Sequence, residues 1–405
     1  MATDFEIRKE RFYSELQYIY SELYYGKDEE FQKLLQLMKD EHKKRTPALK
    51  RKDHEALCNM NWFRASSRQD RLIHGKEQYG KLVLQDSFEQ PENFYAAAAK
   101  LLFLANKGAE LIEIDGIGDL FCIPGTQWQN KTKVHITLRI LRIICEIVCP
   151  AVLLYGSFVG FTDNYTAYFG TPEKPELHLM SDAAMLATVW HTVATHDTRV
   201  LVDYINRHAH LPENRVFYRT RTEETGVFWD LDYSYLQILK MDEESHKKFL
   251  QSWYTGAFKE SLAHAHRVKK RSDGSWGVRG TIEEMTGGDK RVEQLVEAFF
   301  VMLSGIPVPK DPKSVSKLLK IRKELHVFDN GADIWTPGTE NNAAIGMGRY
   351  KDGQKFFGLY NFSAEEQIFS LHDPGLYKNL LTGADVKIVN LVRMKPYSYA
   401  WLLAK

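Results

Sequence analysis

Apolar residues near the start of the chain recur at the spacing of α-helices. One series runs from Phe12 to Leu23 with steps of three or four residues, and a second begins at Phe31. A period of about 3.6 residues places such side chains on one face of a helix. The pattern predicts two helices within residues 4–46. They open an N-terminal helical domain that we assign to residues 1–75.

From about residue 92 short apolar runs alternate with helix-length periodic segments. The runs that predict strands are 111–115, 151–155, 179–182, 215–218 and the segment after Gly305. The segments that predict helices are 94–105, 134–149, 183–205 and 291–304. Strand–helix alternation is typical of parallel βα units. We therefore predict an α/β domain over residues 76–322, which a polar and aromatic excursion interrupts at residues 230–290.

After about residue 325 the period changes to the alternation of β-strands. The predicted strands are 343–350, 355–362, 366–371, 386–392 and 398–404. Turn sequences separate them, and no helix-length pattern intervenes. The pattern predicts a small antiparallel β domain over residues 323–405.

Composition and charge exclude several classes of protein. Apolar residues make up 44% and charged residues 26%, which is typical of a folded globular chain. The net charge of +1 gives no overall attraction to nucleic acid or to anionic membranes. The four cysteines have neither metal-ligand nor disulfide-framework spacing, and Cys145 and Cys149 are expected to be buried thiols of one helix.

The chain shows no sign of a membrane span or a secretory leader. Charged residues begin at Asp4, and no stretch of 18 apolar residues occurs. We therefore expect a reduced cytoplasmic protein.

Candidate catalytic side chains follow the predicted strands, where parallel βα proteins gather their active sites. They are Glu113, Asp115 and Asp119 after the first strand, Ser157 after the second, Asp182 after the third, and Glu223 and Glu224 after the fourth. Two carboxylates at neighbouring strand ends suit acid–base chemistry on a sugar or phosphate. An Asp at a strand end is also commonly a turn former or a helix cap. The histidines at 191, 196, 264 and 266 have no metal-site spacing.

Several stretches, in the same order, resemble the amylosucrase group of the α-amylase superfamily (glycoside hydrolase family 13). They are 61–63, 88–94, 101–108, 150–154, 186–195, 210–213, 280–281, 304–308, 359–363 and 396–401. The resemblance covers most of the chain, although each motif is degenerate. It implies a βα barrel of the TIM type, a C-terminal β-sandwich and no cofactor.

The family uses a nucleophilic Asp, a Glu as general acid and base, and a second Asp that stabilises the transition state. By resemblance the nucleophile falls on Asp115, and the Arg two residues before it falls on Glu113, a reversal of charge. The acid–base Glu falls on Ser157. The His–Asp pair of the third motif falls on residues 224 and 225, Glu and Thr, or Glu223 takes the carboxylate role after a short shift.

The resemblance also implies that the barrel is incomplete. The family places three strands and an inserted domain between the counterparts of Trp62 and Phe88, where only Lys81–Leu84 could form a strand. About five of the eight strands would remain, too few to close the barrel. An open sheet edge would need covering by the N-terminal segment, by the excursion or by a second subunit.

These observations leave three hypotheses. The first is a catalytically inactive relative that binds α-glucan or sucrose, or that binds a protein partner. The second is a retaining enzyme on α-glucosides, with Asp115 as nucleophile and Glu223 or Asp182 as acid. The third is a different chemistry or a structural role. None involves metal, nucleic acid or membrane.

Overall fold

The computed structural model describes residues 4–58, 66–74, 76–84, 88–121, 131–158, 165–208, 216–219, 226–229, 231–269, 275–329, 331–337 and 341–405. These residues form two compact units, one ending at Ser181 and the other running from Asp182 to Lys405. None of the described helices has the length and apolar character needed to cross a membrane. The boundaries of the three domains expected from the sequence stay a prediction.

The first unit begins with four helices. They are α1 (Asp4–Leu23), α2 (Asp28–Lys44), α3 (Pro47–Cys58) and α4 (Ser66–Ile73). The first two confirm the apolar periodicity, whereas α3 and α4 were not expected. A buried ion pair joins the α2–α3 connection to α3, because the Arg45 guanidinium donates to both carboxylate oxygens of Asp53 at 2.6 and 2.9 Å.

Parallel strands and their helices follow in the first unit. They are β1 (Tyr79–Val83), α5 (Pro91–Asn106), β2 (Leu111–Asp115), α6 (Lys131–Val148), β3 (Leu153–Phe158) and β4 (Leu179–Asp182), whose last residue belongs to the second unit. The spatial order is β1-β2-β3-β4, and β2 pairs in parallel with both β1 and β3. Cys145 in α6 and Cys149 just after it are buried as expected. A side-chain hydrogen bond with Cys149 and burial raise the pKa of the Cys145 thiol.

The second unit starts with α7 (Ala183–Thr195) and α8 (Arg199–His208). The prediction of one helix over residues 183–205 was wrong. His196 adopts a left-handed backbone conformation (φ 56°) and ends α7. The Asp197 carboxylate then accepts a hydrogen bond from the backbone N–H of Arg199, which starts α8. Apolar periodicity continues across such a break, so the pattern alone could not reveal it.

The remaining elements of the second unit before the C-terminal sheets include the excursion. They are β5 (Val216–Arg219), β6 (Val227–Phe228), α9 (Tyr233–Ile238), α10 (Glu243–Tyr254), β7 (His266–Lys269), β8 (Trp276–Arg279), α11 (Ile282–Thr286), α12 (Lys290–Met302), β9 (Ile306–Val308) and α13 (Ser316–Glu324). Strands β5 and β9 pair in parallel, and β6, β8 and β7 form an antiparallel sheet in that order. Tyr254 joins α10 to α7: its hydroxyl donates to the Trp190 carbonyl. Its ring stacks on Trp229 at 5.5 Å.

The C-terminal region is a sandwich of two antiparallel sheets. Its strands are β10 (Asp333–Trp335), β11 (Ala344–Lys351), β12 (Gln354–Asn361), β13 (Gln367–Ser370), β14 (Gly375–Asn379), β15 (Asp385–Ile388), β16 (Leu391–Met394) and β17 (Tyr399–Ala404). The larger sheet has the order β10-β11-β12-β17-β14-β15, and β13 pairs with β16. Phe357, Phe369 and Tyr377 lie in the buried core of this region. The prediction of one strand over 386–392 was wrong, because the chain turns between β15 and β16.

Two arginines bind the carbonyl groups around the end of α12. The Arg349 guanidinium on β11 is fully buried and donates to the carbonyls of Val327 and Met302 at 2.7 and 3.1 Å. The Arg322 guanidinium on α13 donates to the carbonyls of Val301 and Leu303 at 2.6 and 2.7 Å. The carbonyls in the last turn of a helix have no donor within the helix, and the two side chains satisfy those of Val301 and Met302.

The fold class expected from the sequence is confirmed. In chain order, an N-terminal helical region is followed by parallel βα units and then by a C-terminal antiparallel β-sandwich. Lys81–Leu84, the one candidate strand ahead of Phe88, corresponds to β1. The described parallel strands β1 to β5 and β9 are fewer than the eight of a complete barrel.

Candidate functional site

The polar face of the parallel sheet in the first unit carries the predicted nucleophile. Side chains alternate between the two faces of a strand, so Glu113 and Asp115 share one face of β2. Ile112 and Ile114 point to the other face and are fully buried. This alternation places charge on one side of the sheet and the apolar core on the other.

Lys81 on β1 lies between the two carboxylates of β2. The register pairs Lys81 directly with Glu113. Its ammonium Nζ lies 2.9 Å from Asp115 Oδ2 and 3.7 Å from Glu113 Oε1. The exposed fractions of the side chains are 40% for Lys81, 30% for Asp115 and 2% for Glu113. We call these three residues the charge triad.

Two tyrosines extend the polar face. Tyr155 on β3 is fully buried and pairs in register with Glu113, while Tyr79 on β1 is half exposed. Their hydroxyl oxygens lie 3.4 Å apart, so either group can donate to the other. Carboxylates, an ammonium and phenolic hydroxyls together can donate to and accept from the hydroxyl groups of a sugar.

The replacement of the family's Arg by Glu113 puts two like charges, Glu113 and Asp115, on one face of β2. The structure adds an attraction that the sequence did not reveal. A Glu in place of the family's Arg predicts two negative charges near each other and none of the opposite sign. Lys81 supplies that positive charge from the neighbouring strand, at hydrogen-bond distance from Asp115. The two carboxylates of β2 therefore have one positive charge in common, on the neighbouring strand.

Asp182 caps a helix. It is buried, and its Oδ1 accepts hydrogen bonds from the Met185 backbone N–H and from the Tyr204 hydroxyl, both at 2.8 Å. This is the alternative that the sequence left open for an Asp at a strand end. The hypothesis that Asp182 serves as a catalytic acid therefore loses support.

The other predicted site residues are only partly described. Ser157 lies in β3, one residue beyond the Gly156 that pairs with Ile114, but its side chain is outside the description. The side chain of Asp119 is also outside it. Glu223, Glu224 and Thr225 lie outside the described residues altogether.

Two buried histidines of the second unit lie beside each other. His191 on α7 and His246 on α10 have ring centroids 5.0 Å apart. Burial lowers the pKa of His191 to about 3 and that of His246 to about 4, so both are neutral at pH 7. Within the described part of the chain no group of three or more His, Cys, Asp or Glu side chains could hold a metal ion.

Sequence reasoning missed Lys81 and Tyr79 as site residues. The available signal was the alternation in Tyr79–Val83, which places Tyr79 and Lys81 on the same face of one strand. The sequence does not show that this strand pairs with β2, because the spacing of residues along the chain does not say which strands are neighbours.

Comparison with known proteins was made by sequence and by structure. No protein-family model matches the chain. The glucosylglycerate phosphorylase of Escherichia coli K12 is 30% identical over 116 residues, which cover 28% of this chain and 20% of that protein. Its namesake from Spirochaeta thermophila is 33% identical over 84 residues, covering 21% and 14% respectively. The chain thus spans a fifth or less of these relatives in the matched segments.

Two α-amylases illustrate the structural similarity. That of Geobacillus thermoleovorans, complexed with acarbose, has a TM-score of 0.48 and 11% identity, with 78% of this chain and 65% of that chain covered. That of H. orenii has a TM-score of 0.43 and 13% identity, with 79% and 66% covered.

The sequence matches support the superfamily-level part of the resemblance. They relate this chain to carbohydrate-active proteins of glycoside hydrolase family 13, within the α-amylase superfamily.

Proposed function

We propose that this relative of the carbohydrate-active α-amylase superfamily is an amylosucrase-like pseudoenzyme, which holds α-glucan or sucrose without cleaving it. The observation that carries the proposal is the position of Ser157 in β3, beside the strand of Asp115. The resemblance expects the general acid there, and a serine hydroxyl does not protonate a leaving oxygen near neutral pH.

Loss of the acid has a large effect on this chemistry. A retaining glycosidase needs one carboxyl group as nucleophile and another as acid and base. Removing general acid catalysis alone lowers a rate by a factor of about 10²–10⁴. The charge reversal at Glu113 adds to this loss, since it places a second carboxylate beside the nucleophile position.

The polar face keeps the groups that sugar binding requires. Asp115 accepts hydrogen bonds, the Lys81 ammonium donates them, and the hydroxyl of the half-exposed Tyr79 does both, whereas Glu113 and Tyr155 are buried. Asp115 and Lys81 are partly exposed and so accessible to a ligand. Binding therefore does not depend on the missing acid.

An active retaining enzyme on sucrose or α-glucan is the second candidate. The contact between Lys81 and Asp115 favours it, because Lys81 supplies a positive charge beside the nucleophile position, where the family's Arg is replaced by Glu113. In this candidate Asp115 attacks the anomeric carbon and Glu223 supplies the proton to the leaving group.

A comparison of two proteins separates these candidates. Fluoride release from α-glucosyl fluoride and glucose release from sucrose are measured for the wild type and for Asp115→Asn. The pseudoenzyme predicts equal, background release from both proteins. Release by the wild type well above that of Asp115→Asn would establish the enzyme.

Calorimetry tests binding separately. We expect heat on titrating maltoheptaose or sucrose at millimolar concentration, and a loss of this heat in Asp115→Ala. The matched control is Asp40→Ala, which removes an exposed carboxylate of α2. No heat with the wild type would exclude sugar binding and leave the protein-partner role.

A partner is also proposed for the edge of the parallel sheet. In the order of the described strands β1 lies at the outside, and an open edge is a surface on which another strand or chain can pair. We propose a second copy of the chain or another protein as that partner. Light scattering that gives a clean monomer would contradict the second copy.

A further inference from the structure

The excursion of the second unit contains a basic β-ribbon, which we define as strands β7 and β8. Its described residues, 266–269 and 276–279, include three Lys or Arg residues and no acidic residue. Strands β7 and β8 are its two described arms, and residues 270–274 lie outside the described residues. Neither the polar face nor the proposed sugar binding there uses this ribbon.

Three exposed side chains lie beside the buried Val278 on one face of the ribbon, and we call these three the ribbon face. The register places Lys269 directly opposite Trp276, and Arg267 lies two residues earlier on the same face. The guanidinium carbon of Arg267 lies 4.0 Å from the centroid of the Trp276 ring, and Lys269 Nζ lies 5.9 Å from it. The indole is 45% exposed.

The contacts of Arg267 and Lys269 with the Trp276 ring leave their N–H donors available to an anion. A guanidinium that lies flat on an indole keeps its N–H donors at the edge of the plane, where they match the oxygens of a phosphate. Among the described residues neither Arg267 nor Lys269 forms an ion pair with a carboxylate. Glu284 Oε1 lies 4.0 Å from Nε2 of His266, a residue on the opposite face of β7.

We propose that the ribbon face binds a phosphate-bearing α-glucan. The phosphate groups pair with Arg267 and Lys269, and the apolar face of a glucose unit packs on the Trp276 indole. The Cα atoms of Arg267 and Lys269 lie about 7 Å apart along the strand, so a flexible chain can bring two anionic groups to the two side chains.

Two observations favour a glucan over a nucleic acid. Domains that bind nucleic acid are typically strongly basic, whereas this chain has a pI of about 7.7. The sequence relatives are carbohydrate-active proteins. A local basic face beside an exposed indole fits a sugar polymer that carries few charges.

Affinity electrophoresis of the full chain tests the proposal. The probes are phosphorylated amylopectin, the same glucan after phosphatase treatment, and poly(A) at equal phosphate concentration. We expect retardation by the phosphorylated glucan and at least about tenfold weaker binding after dephosphorylation. Equal binding to the two glucans would overturn the role of the anion, and equal or stronger retention by poly(A) would overturn the choice of polymer.

Matched variants locate the interaction. Arg267→Ala with Lys269→Ala should weaken binding about tenfold and reduce the salt dependence by about two charges, whereas Arg267→Lys with Lys269→Arg should retain it. Trp276→Ala should weaken binding at unchanged salt dependence. The control is Lys100→Ala with Lys107→Ala, two lysines over the exposed Phe103 ring of α5. An equal loss in this control would show general charge attraction and overturn the proposal.

Discussion

Asp115 and Asp182 both end a strand of the sheet order β1-β2-β3-β4, but their surroundings differ. The Asp115 side chain is 30% exposed and faces Lys81. Asp182 is buried and accepts hydrogen bonds from Met185 N–H and the Tyr204 hydroxyl.

The residues that follow each Asp explain the difference. After Asp115, Gly116 takes a left-handed conformation (φ 87°), and an added Cβ there would lie 2.5 Å from the Leu84 carbonyl oxygen. After Asp182, α7 begins at once with Ala183. A strand-end carboxylate is thus available to a ligand where the chain turns away, and committed to structure where a helix starts on it.

Removing the Asp182 carboxylate should give the largest effect. Asp182→Ala removes the cap of α7 and the oxygen that accepts the hydrogen bond of the Tyr204 hydroxyl, which we expect to lower the free energy of unfolding by about 2–4 kcal/mol. Urea denaturation followed by circular dichroism measures it. A loss below about 0.5 kcal/mol would show that neither hydrogen bond matters to stability.

The second prediction concerns the pH dependence of stability, to which two buried histidines of the second unit contribute. His191 and His246 have lowered pKa values of about 3 and about 4 in the fold, against about 6.5 when unfolded. The unfolded chain therefore binds protons first, and stability falls as the pH drops below about 6.5, by up to about 1.4 kcal/mol per pH unit for each histidine. Denaturation at pH 7.0, 6.0 and 5.0 tests this. The double variant His191→Gln, His246→Gln should show a shallower slope.

The third prediction probes the charge triad. Lys81→Met leaves the buried Glu113 carboxylate without its ammonium neighbour, and we expect a loss of about 1–2 kcal/mol, reduced from the buried-pair range because Lys81 is 40% exposed. Lys81→Arg should restore most of the stability. Equal unfolding free energies for Lys81→Met and the wild type would mean that the triad contributes nothing to stability.

The smallest effect is expected at Asp115. Asp115→Asn keeps the shape of a partly exposed side chain and should change stability by no more than about 0.5 kcal/mol. Thermal unfolding of this variant beside Asp182→Asn tests the comparison directly. A melting temperature lowered as much in Asp115→Asn as in Asp182→Asn would show that both residues are structural.

The sequence predicted most elements but few of the contacts between them. Apolar runs such as Leu111–Asp115 were located correctly because β-strands of a buried sheet are short and bounded by turns. Helix α13 and strand β14 were missed because each is short and has a single buried side chain, so neither shows a marked apolar period. These side chains are Leu318 in α13 and Tyr377 in β14. The break at His196 was missed because a left-handed residue does not interrupt apolar spacing.

For the site, the sequence identified Asp115 and Glu113 but not the residue that links them. Lys81 reaches both carboxylates because β1 pairs with β2 in one register, and a shift by one residue would turn Lys81 to the other face. Register is a tertiary property, so no spacing along the chain encodes it. For Asp182 the sequence left both a catalytic role and a helix cap open, and the hydrogen bond from the Met185 backbone N–H decides for the cap.

The arginines at the end of α12 have a consequence for dividing the chain. Residue 322, the last of the α/β domain expected from the sequence, is itself one of these arginines, and Arg349 lies beyond the expected boundary. A chain cut after residue 322 would lose the Arg349 donor and leave the Met302 carbonyl without it. The C-terminal piece would carry a buried guanidinium with no acceptor from α12. Neither fragment is therefore a suitable unit for separate expression, and swapping the sandwich between relatives would have to carry α12 with it.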